Sequence, residues 1–198
     1  MYRLVESIKV NDGVFHNLVY HDRRLRRSMH ELFGAEPGFD LATVLRASDV
    51  PPSGLFKCRF LYDPSGYQIE YTPYSMRGIK TLKIVYLERA DYSHKYTDRK
   101  ILDEALAAKA GCDDVIIIRR GLVTDASSAN VAFRRKGAWF VPDSFLLPGT
   151  IRQKLIDQGA VRETTIGVED IRDYDACKLI NAMVEFDMPE ISVANIVF

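Results

Sequence analysis

Residues 115–141 read VIIIRRGLVTDASSANVAFRRKGAWFV, and this stretch decides the architecture. The β-branched run Val115–Ile118 packs well on a pleated surface and reads as a buried strand. A loop of small and polar residues, Arg119 to Asn130, precedes a second strand, VAFRR. Lys136-Gly137 then turns that strand into a third, Ala138 to Val141. Strands joined by so short a turn pair antiparallel, because parallel neighbours need a long crossover.

Moving toward the C-terminus, Pro148-Gly149 stands before a helix with Leu155 and Ile156 inward. Val161–Ile166, Ala176–Ile180 and Ile191–Phe198 add further strands. Toward the N-terminus, Thr97 is positioned to cap a helix whose apolar face is Ile101, Leu102, Ala105, Leu106 and Ala108, closed by Gly111. Ahead of it runs ERADYSHKYTDR, polar and without either periodicity, and before that a strand, Thr81 to Leu87. The strand pattern restarts near Arg89, which predicts two domains, 1–88 and 89–198.

The first of these holds a hairpin, LFKCRFLYD and YQIEYTPY, around Pro64-Ser65-Gly66. A short helix near Leu41–Arg46 lies between Pro37 and Pro52. Leu25, Met29, Leu32 and Phe33 share one face of a helix running from His21, and Gly34 is placed to end it. At the start, Leu4, Ser7, Ile8 and Val10 lead through Asn11-Asp12-Gly13 into a second short strand, Val14 to Tyr20. The class is α+β with predominantly antiparallel pairing.

Composition narrows the function. The chain has 198 residues, 47% apolar and 27% charged, the balance of a globular protein. Its 27 basic and 27 acidic residues cancel. Bulk electrostatic binding to nucleic acid or to a membrane surface is thereby disfavoured. No run of about 18 apolar residues is present to span a bilayer. The start, MYRLVESIKV, carries charge instead of a signal sequence, so the expected location is cytoplasmic. Cys58, Cys112 and Cys177 lack the spacing of a disulfide framework or a zinc site and read as packing thiols. No metal is expected.

Four segments carry polar groups beyond what folding needs. His94-Lys95 precedes a helix, where a lysine is ordinarily solvated. The loop GLVTDASSAN, 121–130, holds one carboxylate and two serine hydroxyls among small residues. Taken alone it is a turn, although such loops also let backbone approach a ligand. Pro148-Gly149-Thr150-Ile151-Arg152 opens a helix, and free N–H groups at the positive end of a helix dipole attract anions. Arg23, Arg24, Arg26 and Arg27 form a basic run that is solvated or, through one member, grips a phosphate.

In order, these pieces read HxxRL, HK, GLVTDASSAN, LPGTIR and LINAM. So arranged, the chain resembles the class IV aminotransferase family, pyridoxal-phosphate (PLP) enzymes of fold type IV. That family includes D-amino-acid and branched-chain transaminases and aminodeoxychorismate lyase. GLVTDASSANVAF is similar to its G-x-V-T-E-x-x-x-x-N-x-F signature. The ending DACKLINAMVEF looks most like the lyase branch, which forms 4-aminobenzoate and pyruvate in folate biosynthesis.

The resemblance implies two small α/β domains with the cofactor site between them, a homodimer, and a small-molecule amino substrate. It implies that Lys95 is joined covalently to PLP and moves the proton at the substrate's Cα. Asp125 takes the place of the glutamate that keeps the pyridine nitrogen protonated. Arg24 and the backbone N–H groups of Thr150 and Ile151, following Gly149, bind the phosphate. Ser127 and Ser128 line the ring, and Asn181 and Ala182 lie near phosphate or substrate. A transaminase and a non-catalytic PLP-binding protein are the alternatives. The chain departs from the family in three ways: aspartate replaces glutamate, Gly-Thr-Ile-Arg replaces Gly-Ile-Thr-Arg, and a leading strand and loop are missing. It therefore resembles a short form of the family.

Overall fold

The computed structural model describes residues 3–89, 91–184, 186 and 188–198. Ala90 of the polar stretch and Glu185 of the DACKLINAMVEF run lie outside the described residues. The chain forms two compact units, one of residues 1–76 with 94–98, the other of residues 77–93 with 99–198.

In the first unit, β1 (Leu4–Asn11), β2 (Val14–Phe15), α1 (Leu18–Phe33), α2 (Leu41–Arg46), β3 (Leu55–Asp63) and β4 (Gly66–Pro73) follow in chain order. The sheet runs β2-β1-β3-β4, antiparallel throughout. Leu4, Ile8 and Val10 share one face of β1 by the two-residue period of a strand. They pack with Cys58, Phe60 and Tyr62 of β3, Leu25 and Met29 of α1, and Leu41 and Leu45 of α2. Asp40 caps α2 by accepting from the Thr43 N–H at 2.8 Å. Gly34, at φ 62°, ends α1 as expected, its N–H donating to the His30 carbonyl at 2.9 Å. The helix starts earlier than the sequence suggested, at Leu18, because Asn17 turns left-handed at φ 58° and ends the strand. Val14–Tyr20 is thus only in its first two residues a strand.

The second unit contains β5 (Leu82–Tyr86), α3 (Lys100–Ala107), β6 (Asp114–Arg119), β7 (Leu122–Ala126), β8 (Asn130–Arg135), β9 (Ala138–Pro142) and α4 (Thr150–Asp157). After them come β10 (Arg162–Thr164), β11 (Ala176–Ile180), β12 (Ile191–Ser192) and β13 (Ile196–Val197). The path β10-β9-β8-β7-β6-β5-β13 is extended by β11, which pairs with β8 and β12. Three pairings are parallel, β5 with β6, β5 with β13, and β9 with β10.

Three expectations need correction. Arg119–Asn130 is not all loop: Leu122–Ala126 is strand β7, paired with β6. Its polar members are buried because Thr124 Oγ1 donates to the Ile117 carbonyl at 2.9 Å and Asp125 has donors of its own. Thr97 does not cap α3, since its hydroxyl and amide both donate to the Arg3 carbonyl at 3.0 Å and Arg99 takes the cap position. The division of the chain also falls at Met76 and Arg77, not near Arg89. Strand β5 pairs with β6 and β13, so residues 77–88 belong to the second unit. Residues 94–98 return to the first through the Leu4–Tyr96 bridge and the Val5 N–H bond to the Lys95 carbonyl at 2.9 Å.

All three cysteines are buried free thiols, and burial pushes Cys58 and Cys177 up to about 12. No helix among the described residues is long and apolar enough to cross a membrane.

Candidate functional site

Of the four arginines on α1, the structure singles out Arg24. It is buried, whereas Arg23 is exposed and Arg26 and Arg27 are half-buried. Arg24 Nε and Nη2 donate to Glu6 Oε1 and Oε2 at 3.0 and 2.5 Å. His21 lies one helical turn earlier, in the same HxxRL element. Its Nδ1–H donates to Glu6 Oε2 at 2.6 Å, since an ionised carboxylate can only accept.

Glu6 has no solvent exposure. Burial raises its pKa, but the Arg24 guanidinium and His21 outweigh burial and hold it at about 2. His21 is pushed down, first by burial and then by Arg24 and Lys95, with Glu6 opposing, so the imidazole is neutral at pH 7. Lys95, half-buried, thus stands close enough to this cluster for its charge to be felt. Its neighbour His94 is buried, with Nδ1 3.2 Å from Ser28 Oγ.

Glu6 is the residue that sequence reasoning missed. The available signal was positional: an acid flanked by Leu4 and Ile8 on the core face of β1 demands a buried cation. Removing its charge strands Arg24 in the interior. Glu6→Gln is expected to lose about 3 kcal/mol, on the order of 10 °C in Tm. The sign follows from the lowered pKa: the stabilisation is present above 4.5 and disappears as pH falls toward about 2. Thermal melts of parent and variant should therefore differ at pH 7 and converge near pH 2. Equal melting temperatures at pH 7 would rule out the buried pair.

In the second unit, Asp125 is buried at the end of β7. Asn130 Nδ2 donates to its Oδ1 at 2.5 Å, and the Leu146 and Leu147 N–H groups donate to its Oδ2 at 2.8 and 2.9 Å. Burial pushes Asp125 up to about 6, against the Leu147 amide, Asn130, the Leu146 amide and Arg152, all of which lower it. The acid therefore sits in a shaped socket, still mainly ionised at pH 7.

The same segment leads into α4. Gly149 is its N-cap, at φ −69° and ψ 143°, and no side chain caps the helix. The first-turn residues Thr150, Ile151 and Arg152 are buried. Ile151 and Leu155, one turn apart, anchor α4 on Ala132, Val141, Val161 and Ile180. Arg152 is occupied with the Pro142 carbonyl at 2.9 Å and Glu163 at 2.5 Å, and its guanidinium lies 4.3 Å from the Phe145 ring centroid.

The turn between β7 and β8 is held from three elements. Ser127 is buried, donating its N–H to Asp114 Oδ1 at 3.3 Å and accepting on its carbonyl from Arg99 Nη2 at 2.9 Å. Ser128 is exposed, and its carbonyl accepts from Asn181 Nδ2 at 3.1 Å. Asn181 Oδ1 also accepts from the Met183 and Val184 amides at 2.9 and 3.1 Å, which shapes the turn that contains half-buried Ala182. Asn181 is thus engaged in positioning the serine turn. The structure gathers Arg24 and Lys95 in one unit, and Asp125, Ser127, Ser128, Gly149, Thr150, Ile151, Asn181 and Ala182 in the other.

Residues 67–187 match the family model for class IV amino-transferases. An uncharacterized Haemophilus influenzae protein is 36% identical over 185 residues, 92% of this chain and 98% of the relative. A Haemophilus somnus 129PT crystal structure, described as a "putative 4-amino-4-deoxychorismate lyase", superposes with a TM-score of 0.86 at 36% identity, covering 92% of this chain and 97% of that one. A Brucella abortus aminotransferase bound to the co-factor PLP shares the fold, with a TM-score of 0.77 at 19% identity, over 98% of this chain and 81% of that one. A family match over more than half the sequence, with a full-length relative and the same α+β framework, places the chain in the class IV amino-transferase family, fold type IV.

Proposed function

We propose that the protein is a PLP-dependent enzyme acting on an amino compound, with aminodeoxychorismate lyase-like chemistry that forms 4-aminobenzoate and pyruvate. The observation that carries this reading is the Asp125 socket. A carboxylate is buried inside the GLVTDASSANVAF signature, fixed by three donors, and wired to a helix start that no side chain caps. Together these supply an acid for a ring nitrogen and amides for a phosphate, so the donor set fits the cofactor. When bound, PLP supplies an electron sink for the pair left when the substrate's Cα loses its proton.

The chain's own residues do the rest. Arg24, pre-oriented by Glu6, and the N–H groups of Thr150 and Ile151 bind the phosphate dianion. Asp125 keeps a proton on the ring nitrogen. Lys95 Nζ takes the proton from the carbon that bears the amino group; the C–O bond on the neighbouring carbon then breaks, the ring becomes aromatic, and the departing enolpyruvate takes up a proton to become pyruvate. The step needs Lys95 in its neutral form, whereas a lysine amine ordinarily titrates near 10.4. The similarity to the Haemophilus somnus protein supports the lyase reading over a transaminase.

Aminodeoxychorismate incubated with the PLP-loaded protein should release 4-aminobenzoate. Formation of a 2-oxo acid from D-alanine or a branched-chain amino acid, with no 4-aminobenzoate, would identify a transaminase instead. A PLP-loaded protein inert toward all of these would be a binding protein only. The same reading makes it a cytoplasmic homodimer, testable by sedimentation against the 22.5 kDa chain mass.

Arg24→Ala should weaken PLP binding about tenfold or more, as expected for a lost charge-assisted phosphate contact. Arg23→Ala, with its exposed guanidinium, should leave the affinity unchanged. A PLP titration of both variants checks this, and equal affinities would remove Arg24 from the phosphate site.

A further inference from the structure

Strands β7 and β8 share one residue pair, Asp125 opposite Asn130, before β8 departs to pair with β9 and β11. Opposite residues in an antiparallel pair project from the same face, within side-chain reach. Register alone thus brings the carboxylate and the carboxamide together at the corner of the sheet.

The donor and acceptor inventory is then nearly complete. Asn130 Nδ2 carries two N–H groups: one goes to Asp125 Oδ1 at 2.5 Å, the other to the Leu147 carbonyl at 2.9 Å. An ionised carboxylate has about four acceptor sites. On Asp125, Oδ2 uses two for the Leu146 and Leu147 amides, and Oδ1 uses one for Asn130. Among the described residues, the acceptor site left over is on Oδ1. Asn130 also abuts the start of α4, where a Cβ added to Gly149 would stand 1.9 Å from Asn130 Oδ1.

We propose that Asn130 is a positioning residue that locks Asp125 and the N-terminus of α4 into one hydrogen-bonded frame, leaving one acceptor site on Oδ1 to take the cofactor's ring N–H. The proposal deepens the PLP reading and rests on it for the identity of the ring. It explains how an aspartate stands where the family signature carries a longer glutamate: the shorter side chain is held by three donors, from Asn130, Leu146 and Leu147. It also gives position 149 a reason to be glycine that is independent of phosphate binding. Any larger residue must displace Asn130.

The test has a cofactor-free arm and a loaded arm. In the cofactor-free protein, the Asp125 carboxyl is followed by carbon-13 NMR. Its titration midpoint should rise in Asn130→Ala by about one pH unit, because a hydrogen bond to the charged form is lost. Gly149→Ala, which must push Asn130 aside, should move it the same way, and it serves if Asn130→Ala does not fold. In the loaded arm, PLP affinity at pH 7 should fall about tenfold in Asn130→Ala, with kcat reduced more than KM is raised. A variant that merely disturbed the phosphate would weaken affinity without moving the Asp125 midpoint.

An unmoved midpoint in both variants would overturn the proposal, even if the parent binds PLP. A shifted midpoint in a parent that never binds PLP would leave the frame standing and refute the cofactor reading instead.

Discussion

Lys95→Ala is expected to lower turnover by a factor of about 10⁴ or more, since the proposed function makes one amine both covalent anchor and proton carrier. The fold should survive. The backbone at this position is fixed by the Lys95 carbonyl, which accepts from Val5, and by the adjacent Leu4–Tyr96 bridge, neither of which uses the side chain. A half-buried lysine replaced by alanine should shift Tm by no more than about 2 °C. Steady-state assays alongside a thermal melt check both statements. Retained turnover would move the proton-transfer role to another amine, and a large fall in Tm would mark Lys95 as structural.

Asp125→Ala should lower kcat by about three orders of magnitude, because an unprotonated pyridine is a poor electron sink. This variant also touches the fold, unlike the lysine change. The Leu146 and Leu147 amides and one N–H of Asn130 lose their acceptor, and each buried orphan costs about 1–3 kcal/mol.

A pH signature separates the electrostatic part. Asp125 is raised from 3.8 to about 6, so its contribution to stability without cofactor is fully present below 3.8 and is lost as pH rises through about 6. Glu6 runs the other way, contributing above 4.5 and losing that contribution toward about 2. Replacing Asp125 should therefore flatten the stability profile between pH 4 and pH 6 in particular. On the proposed function, PLP affinity in the parent should fall below about pH 6, where a protonated carboxyl cannot pair with a pyridinium. Unchanged kcat in the variant would exclude the carboxylate from the chemistry.

Local signals carried much of the fold. The helix at Leu41–Arg46 follows from its flanking prolines, and the hairpin of β3 and β4 from its alternation around Pro64-Ser65-Gly66. These features depend on near neighbours in sequence. Strand β7 reads as loop in the sequence, since Thr124 and Asp125 are polar, and their burial rests on partners at Ile117, Asn130, Leu146 and Leu147. Residues 94–98 belong to the first unit through contacts with Arg3, Leu4 and Val5, about ninety positions away, and no local composition reveals that.

The site shows the same division. The family resemblance pointed to Asp125 and Arg24, but not to what holds them. The part played by Asn130 emerges only with strand register, from the lone β7–β8 pair, whereas the alternation of β1 already puts Glu6 on the core face and the structure supplies its partners. Asn181 illustrates the converse, since its carboxamide is engaged with Ser128, Met183 and Val184.

Borohydride reduction of the PLP-loaded protein, followed by peptide mass mapping, tests the central claim most directly. The account predicts loss of the visible absorbance and a stable pyridoxyl group on the peptide containing Lys95. A pyridoxyl group on any other lysine, or a protein that takes up no PLP, would contradict it.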